Sequence, residues 1–157
     1  MPSDQQQPQP LTASEEAFVR ELSRVMQELP RAVDADILRE AELPLSEYTP
    51  LMHLSEAPDQ AMRMSELAAA CSLSLSGMTR VVTRLEKQGW VERTKSAHDG
   101  RGWNAALTEL GLQRLERAWP AFLVSVRHHL VDHFADHDLP RLTTALRRVA
   151  AAGAELH

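Results

Sequence analysis

Residues 64 to 111 read MSELAAACSLSLSGMTRVVTRLEKQGWVERTKSAHDGRGWNAALTELG. Two short helical patterns come first, separated by a tight turn. Two strand patterns follow, separated by a glycine-rich tip that carries an arginine. Ser74 is a good N-cap for the second helix, because its hydroxyl can accept from a free amide of the first turn. Leu75, Met78, Val81, Val82 and Leu85 then recur at three- and four-residue spacing and form one apolar stripe. Ser76, Gly77, Thr79, Arg80, Thr83, Arg84 and Lys87 fall on the other side. Gly89 suits the left-handed position that ends a helix.

Val91, Arg93 and Lys95 alternate with Glu92 and Thr94, as in a half-buried strand, and Trp103, Ala105 and Leu107 supply the return strand. Helix, turn, helix and β-hairpin, in that order, is the layout of a winged helix-turn-helix, whose second helix enters a DNA groove. Small hydroxyl side chains let a helix approach closely. Arginines pair with guanine edges or clamp phosphates. The residues expected to meet DNA are therefore Ser74, Ser76, Gly77, Thr79, Arg80, Thr83, Arg84 and Lys95, with Arg101 at the wing tip suited to a narrow minor groove. Asp99, Gly100 and Gly102 are expected to shape the wing, the first two being turn formers.

The blocks SELA (65–68), LSGMTR (75–80), RLE (84–86), GWV (89–91), DGR (99–101) and LTELG (107–111) resemble the MarR family of bacterial transcription regulators. LSEYTPLMHL (45–54) resembles that family's second helix. The likeness runs from about residue 11 to the C-terminus and is dense between Tyr48 and Gly111. It implies a sequence-specific regulator, most simply a repressor, acting as a homodimer on a palindromic operator. It also implies release of DNA when a small aromatic or anionic effector binds between the winged domain and the dimer helices. Arg20, Tyr48, Met52, His53, Trp103 and Trp119 are the candidate effector residues. The family pattern carries a second arginine after the wing arginine. Here that position is Gly102, so one wing contact fewer is expected.

The 157-residue chain has a net charge of −5. The distribution matters more than the total. Residues 73 to 104 hold six basic and three acidic side chains, whereas residues 1 to 72 hold five and thirteen. A local positive patch can supply the electrostatic attraction to DNA while the acidic remainder stays off the duplex. The opening MPSDQQQPQP is polar and rich in Pro and Gln, so residues 1–10 are expected to be a disordered tail rather than a signal peptide. No apolar run approaches membrane-spanning length, and a single cysteine excludes an internal disulfide framework. A soluble cytoplasmic protein without a cofactor or membrane partner is expected.

Before Pro30, Phe18, Leu22, Val25, Met26 and Leu29 form a helical stripe, and a second short run covers residues 32–41. Ser46 can cap the next helix, with Pro50 in its first turn. Thr108 can cap a long pattern running through Leu110, Leu115, Trp119, Phe122, Val126, Leu130 and Phe134, kinked at Pro120. A last helix begins at Asp138. The expected class is mainly α with a small β-hairpin wing. Dimerisation helices (11–44 and 108–157) flank a DNA-binding domain (45–107). Apolar stripes at both ends have little to pack against in a monomer, which favours a two-fold partner.

An alternative on the same scaffold is a zinc- or redox-responsive regulator. His129, His133 and His137 repeat every four residues, a partial match to zinc-pair spacing, but one straight helix rarely presents three ligands to one ion. No metal site is expected, and His129 and His133 are the candidates if there is one. Cys71 lies between small and apolar neighbours with no nearby cation in sequence to lower its pKa, which reads as packing rather than redox chemistry. No nucleophile elbow, phosphate loop or HExxH occurs, so no enzyme is expected.

Overall fold

The computed structural model describes residues 9–95 and 102–154. Helix α1 spans Ala13–Ala41. It opens on a capping box in which Thr12 Oγ1 accepts from the Glu15 amide and Glu15 Oε2 accepts from the Thr12 amide at 2.7 Å. The expected break at Pro30 does not occur: the helix runs through it as one element. Pro30 forgoes one backbone bond. Burial of Val33 and Ile37 beyond it, and partial burial of Leu22 and Leu29 before it, outweighs that loss.

Helix α2 spans Leu45–Glu56. Ser46 is not its cap. Asp34 of α1 accepts from the Leu45 amide at 2.6 Å, so the free donor is satisfied from another helix. Pro50 consequently lies in the second turn and is buried. A 3-10 turn, Pro58–Gln60, with positive φ at Asp59 and Gln60, then leads into strand β1, Ala61–Arg63. Sequence periodicity does not reveal this strand.

Helices α3 (Met64–Ala70) and α4 (Leu75–Lys87) follow, then strands β2 (Val91–Lys95) and β3 (Trp103–Leu107). The sheet is antiparallel in the order β1-β3-β2, with Val91 opposite Leu107, Lys95 opposite Trp103 and Ala61 opposite Ala106. The wing therefore has a third strand, which ties its root to the segment that enters α3. Gly89 has φ +72°, and the bonds Gly89 N–H to Glu86 O (2.9 Å) and Trp90 N–H to Leu85 O (3.0 Å) close the α4 terminus as a Schellman motif.

Helix α5 spans Glu109–His129 and runs unbroken through Pro120. It stops five residues before Phe134, because Leu130 leaves helical geometry (φ −134°, ψ −67°) and a 3-10 turn, Val131–Phe134, follows. Thr108 is its N-cap as expected. The Thr108 hydroxyl accepts from the Gly111 amide (3.0 Å) and donates to Gly89 O (2.6 Å), pinning α5 to the end of α4. Gly111 is required there, since a Cβ would overlap the Trp90 carbonyl. Helix α6, Leu139–Ala154, begins where Asp138 accepts from the Arg141 amide at 3.0 Å.

One core joins these pieces. Ile37 and Leu43, Tyr48, Leu51 and Leu54 of α2, Leu67 of α3, and Met78, Val82 and Leu85 of α4 are fully buried in it. Outside it, Phe18, Met26, Val124, Leu146 and Val149 remain exposed on α1, α5 and α6. Among the described residues, no helix is long and apolar enough to cross a membrane.

Candidate nucleic-acid interface

Helix α4 buries Met78, Val81, Val82 and Leu85 and turns its opposite side outward. At its start, Ser74 accepts from the Gly77 amide at 3.1 Å and lies 3.2 Å from the Ser76 hydroxyl. A Cβ on Gly77 would come within 3.2 Å of the Ser74 hydroxyl, so the small residue protects the cap. Thr79 and Thr83 donate to the carbonyls of Leu75 and Thr79, each at 2.8 Å. Their hydroxyl protons are thus used inside the helix, which leaves the Thr79 hydroxyl as an acceptor toward an incoming group. Ser76 and Arg80 are exposed, and Arg80 takes no hydrogen bond or ion pair among the described residues.

Two partners outside α4 hold it in place, and neither pairing is visible in the sequence periodicity. Arg93 of β2 donates through Nη2 to Thr83 Oγ1 (2.7 Å) and to Thr79 O (3.2 Å). Its Nε stands 3.1 Å from Glu86 Oε2, an ion pair whose angle is not that of a hydrogen bond. On the other flank, Arg84 Nε donates to Glu47 Oε1 of α2 at 3.1 Å. The sequence did contain a signal for each. Arg93 lies two residues after buried Val91, so it shares the packed side of the strand. Glu47 precedes Leu51 and Leu54 by four and seven residues, so it lies on a buried stripe. A charge in such a place calls for a partner.

Lys95 ends β2 exposed, opposite Trp103. Gly102 and Trp103 border a groove of about 350 Å³ that Arg63, Ser65, Thr79 and Arg93 also line. Asp99, Gly100 and Arg101 lie outside the described residues.

The six candidate effector residues have different surroundings. Tyr48 is fully buried and stacks on Phe122 at 4.7 Å between ring centroids; Trp119 stacks on the same Phe122 at 5.6 Å. The Tyr48 hydroxyl is buried without a hydrogen-bond partner among the described residues, and burial pushes its pKa well above the usual phenol range. Met52 and His53 are half-buried on α2, and Arg20 is exposed on α1. Trp103 belongs to the groove beside α4.

The histidine ladder is not continuous. His129 ends α5 with Nε2 2.8 Å from Asp36 Oδ2, whereas His133 is exposed in the 3-10 turn. His129 and His133 therefore do not share one helix side, because α5, expected to run through Phe134, stops at His129. Among the described residues, no group of three or more His, Cys, Asp or Glu side chains is placed to hold a metal. Asp36 also accepts from Ser125 (2.8 Å) and Arg39 (2.8 Å), and these bonds, that from Ser125 foremost, lower its pKa to about 2. Cys71 caps the end of α3, and burial pushes its thiol up, away from thiolate reactivity.

The profile of the MarR family matches residues 42–102. The transcriptional repressor MprA of Escherichia coli is 34% identical over 73 residues, which cover 46% of this chain and 42% of that protein. The chain thus matches less than half the length of that relative. Solved structures extend the similarity to nearly the whole chain. AbsC, a MarR family transcriptional regulator from Streptomyces coelicolor, superposes with a TM-score of 0.84 at 34% identity, covering 94% of this chain and 99% of AbsC. Sco3205, another MarR family regulator of that organism, was solved in complex with DNA; it gives 0.78 at 32% identity, covering 96% and 91%.

Proposed function

The chain belongs to the MarR family of transcriptional regulators, a family of regulators and not of enzymes, and we propose that it is a repressor that binds a palindromic DNA operator as a homodimer. The observation that carries this reading is the outward side of α4, where exposed Ser76 and Arg80 stand on a helix fixed from both flanks. Ser74 and Gly77 set the helix start. Thr79, Thr83 and Arg84 border the same side, Lys95 is exposed at the end of β2, and Arg101 is proposed as a DNA contact from the sequence alone. The DNA-bound state of Sco3205 supports the DNA partner, and the repressor MprA supports repression.

Residues 45–107 would be the DNA-binding unit and residues 11–44 and 108–157 the dimerisation helices. The apolar side chains exposed on α1, α5 and α6 support that division, since a partner copy would cover them. Two-fold symmetry would then place two α4 helices about one helical turn of DNA apart. A small effector would act by binding the DNA-fitting and splayed dimers with unequal affinity. Its ring would meet the Tyr48–Phe122–Trp119 stack, with Arg20, Met52, His53 and Trp103 as further candidates.

The test is anisotropy of a labelled duplex titrated with protein at fixed salt, with Arg80→Ala in parallel. Loss of a base contact by Arg80→Ala should cost about 1–3 kcal/mol and relax one position of the site. Equal affinity of both proteins for every duplex would refute the assignment of α4.

A further inference from the structure

We propose that Glu47 is a positioning residue for DNA recognition: by holding the Nε edge of Arg84, it fixes the direction in which that arginine's terminal amines leave α4. The inference rests on the reading of α4 as the DNA-facing helix.

Glu47 is 8% exposed, and its partner Arg84 has a half-exposed side chain. The bond between them uses Nε alone. The two terminal nitrogens of Arg84 make no hydrogen bond among the described residues, and together they carry four N–H donors in a planar fork. A guanidinium held at one edge presents the rest of its fork in a fixed plane. Arginine otherwise loses much rotamer freedom when it binds, so ordering it beforehand removes part of that cost.

The helix geometry agrees. At 3.6 residues per turn, Arg84 lies about 40° around α4 from Arg80 on the α2 side, and Thr83 lies about 60° around on the wing side. Thr83 is the residue that Arg93 holds. Helix α4 is thus held on both edges, and the α2 edge carries a cation. The neighbouring Tyr48 stacks on Phe122, so α2 is braced against α5 where it holds Arg84.

The electrostatic sign separates this role from a merely local ion pair. Removing a carboxylate near a phosphate-binding surface should by itself tighten DNA binding. Loss of positioning should weaken it. The experiment measures affinity for an operator duplex selected with the wild-type protein. It compares Glu47→Ala, Glu47→Gln, Arg84→Ala and the Glu47→Ala/Arg84→Ala pair, with thermal melts run alongside. Glu47→Ala should weaken binding about five- to tenfold, within the range that coupled neighbours span. Glu47→Gln should fall between, since its amide oxygen still accepts from Nε. The double variant should bind as Arg84→Ala does.

Unchanged or tighter binding by both Glu47 variants, or an equal loss in the Arg84→Ala background, overturns the proposal. If Glu47→Ala does not fold, Glu47→Gln compared in the wild-type and Arg84→Lys backgrounds decides, because lysine has no Nε edge to hold. A wild-type protein that binds no duplex overturns the reading of α4 itself, and this proposal with it. A wild type that binds while the Glu47 variants bind equally well overturns this proposal alone.

Discussion

Arg93 donates to the Thr83 hydroxyl at 2.7 Å, and that hydroxyl in turn donates to Thr79 O at 2.8 Å. One strand residue thereby fixes the outward helix to the wing. Thr83 has little hydrogen-bonding capacity left for another partner, so its part in any DNA contact is close packing rather than donation.

Arg93→Ala should leave Glu86 without its cation and Thr83 without its donor. The expected cost is about 1 kcal/mol in urea denaturation, the low end of the range for leaving polar groups unpaired, because Thr83 and Glu86 are only partly buried. Arg93→Lys should restore little of it, because an ammonium cannot reach Thr83, Thr79 and Glu86 with one planar fork. Full stability of Arg93→Ala would show that the clamp contributes nothing.

Gly111→Ala forces a methyl onto the Trp90 carbonyl. Overpacking at a junction that also holds the Thr108 cap should destabilise the protein by about 1–3 kcal/mol. The same change at Gly153, where an added Cβ meets nothing within 4 Å, serves as the control. Equal melting of the two variants would contradict the close approach described for α5.

Acid should weaken the α1–α5 junction through Asp36. Its folded pKa, about 2, lies below the ordinary 3.8 because Ser125, Arg39 and His129 hydrogen-bond to the carboxylate. A depressed carboxylate stabilises the fold fully above the ordinary value, and that contribution fades as pH falls toward the folded one. The stability gap between wild type and Asp36→Asn should therefore shrink between about pH 4 and pH 2, followed by denaturant midpoint. A gap constant across that window would remove Asp36 from the acid response.

Light scattering at micromolar concentration should give twice the 17.6 kDa chain mass. Leu146→Asp with Val149→Asp places two charges on the apolar side of α6, where both residues are more than half exposed in the single chain. That pair of changes should shift the mass toward one chain. A monomeric wild type would refute dimerisation through these helices.

Much of this arrangement was legible in the sequence. Ser74, Gly89, Thr108 and Asp138 announced helix ends through local capping chemistry, which needs no tertiary context. The strand Ala61–Arg63 was not legible, because three residues are too few to show a period and it is ordered by pairing with β3. Pro30 and Ser46 misled for one physical reason: packing of α1 and the Asp34 carboxylate supplied from a distance what local rules sought nearby. The apolar pattern through Phe134 overran the true helix end because spacing has meaning only while the helix lasts, and α5 ends at His129. At the interface, the outward residues of α4 could be read from periodicity. Their partners Glu47 and Arg93 could not be paired with them, because an ion pair 37 residues apart and a hydrogen bond 10 residues apart leave no local pattern.

The central claim, sequence-specific reading of DNA by α4 in a dimer, is tested most directly by selecting bound duplexes from random DNA and sequencing them, with Arg80→Ala in parallel. The account predicts an enriched palindrome for the wild type whose half-sites are blurred or lost for Arg80→Ala. No enrichment for the wild type at low salt, or the same palindrome at the same strength for both proteins, would contradict it.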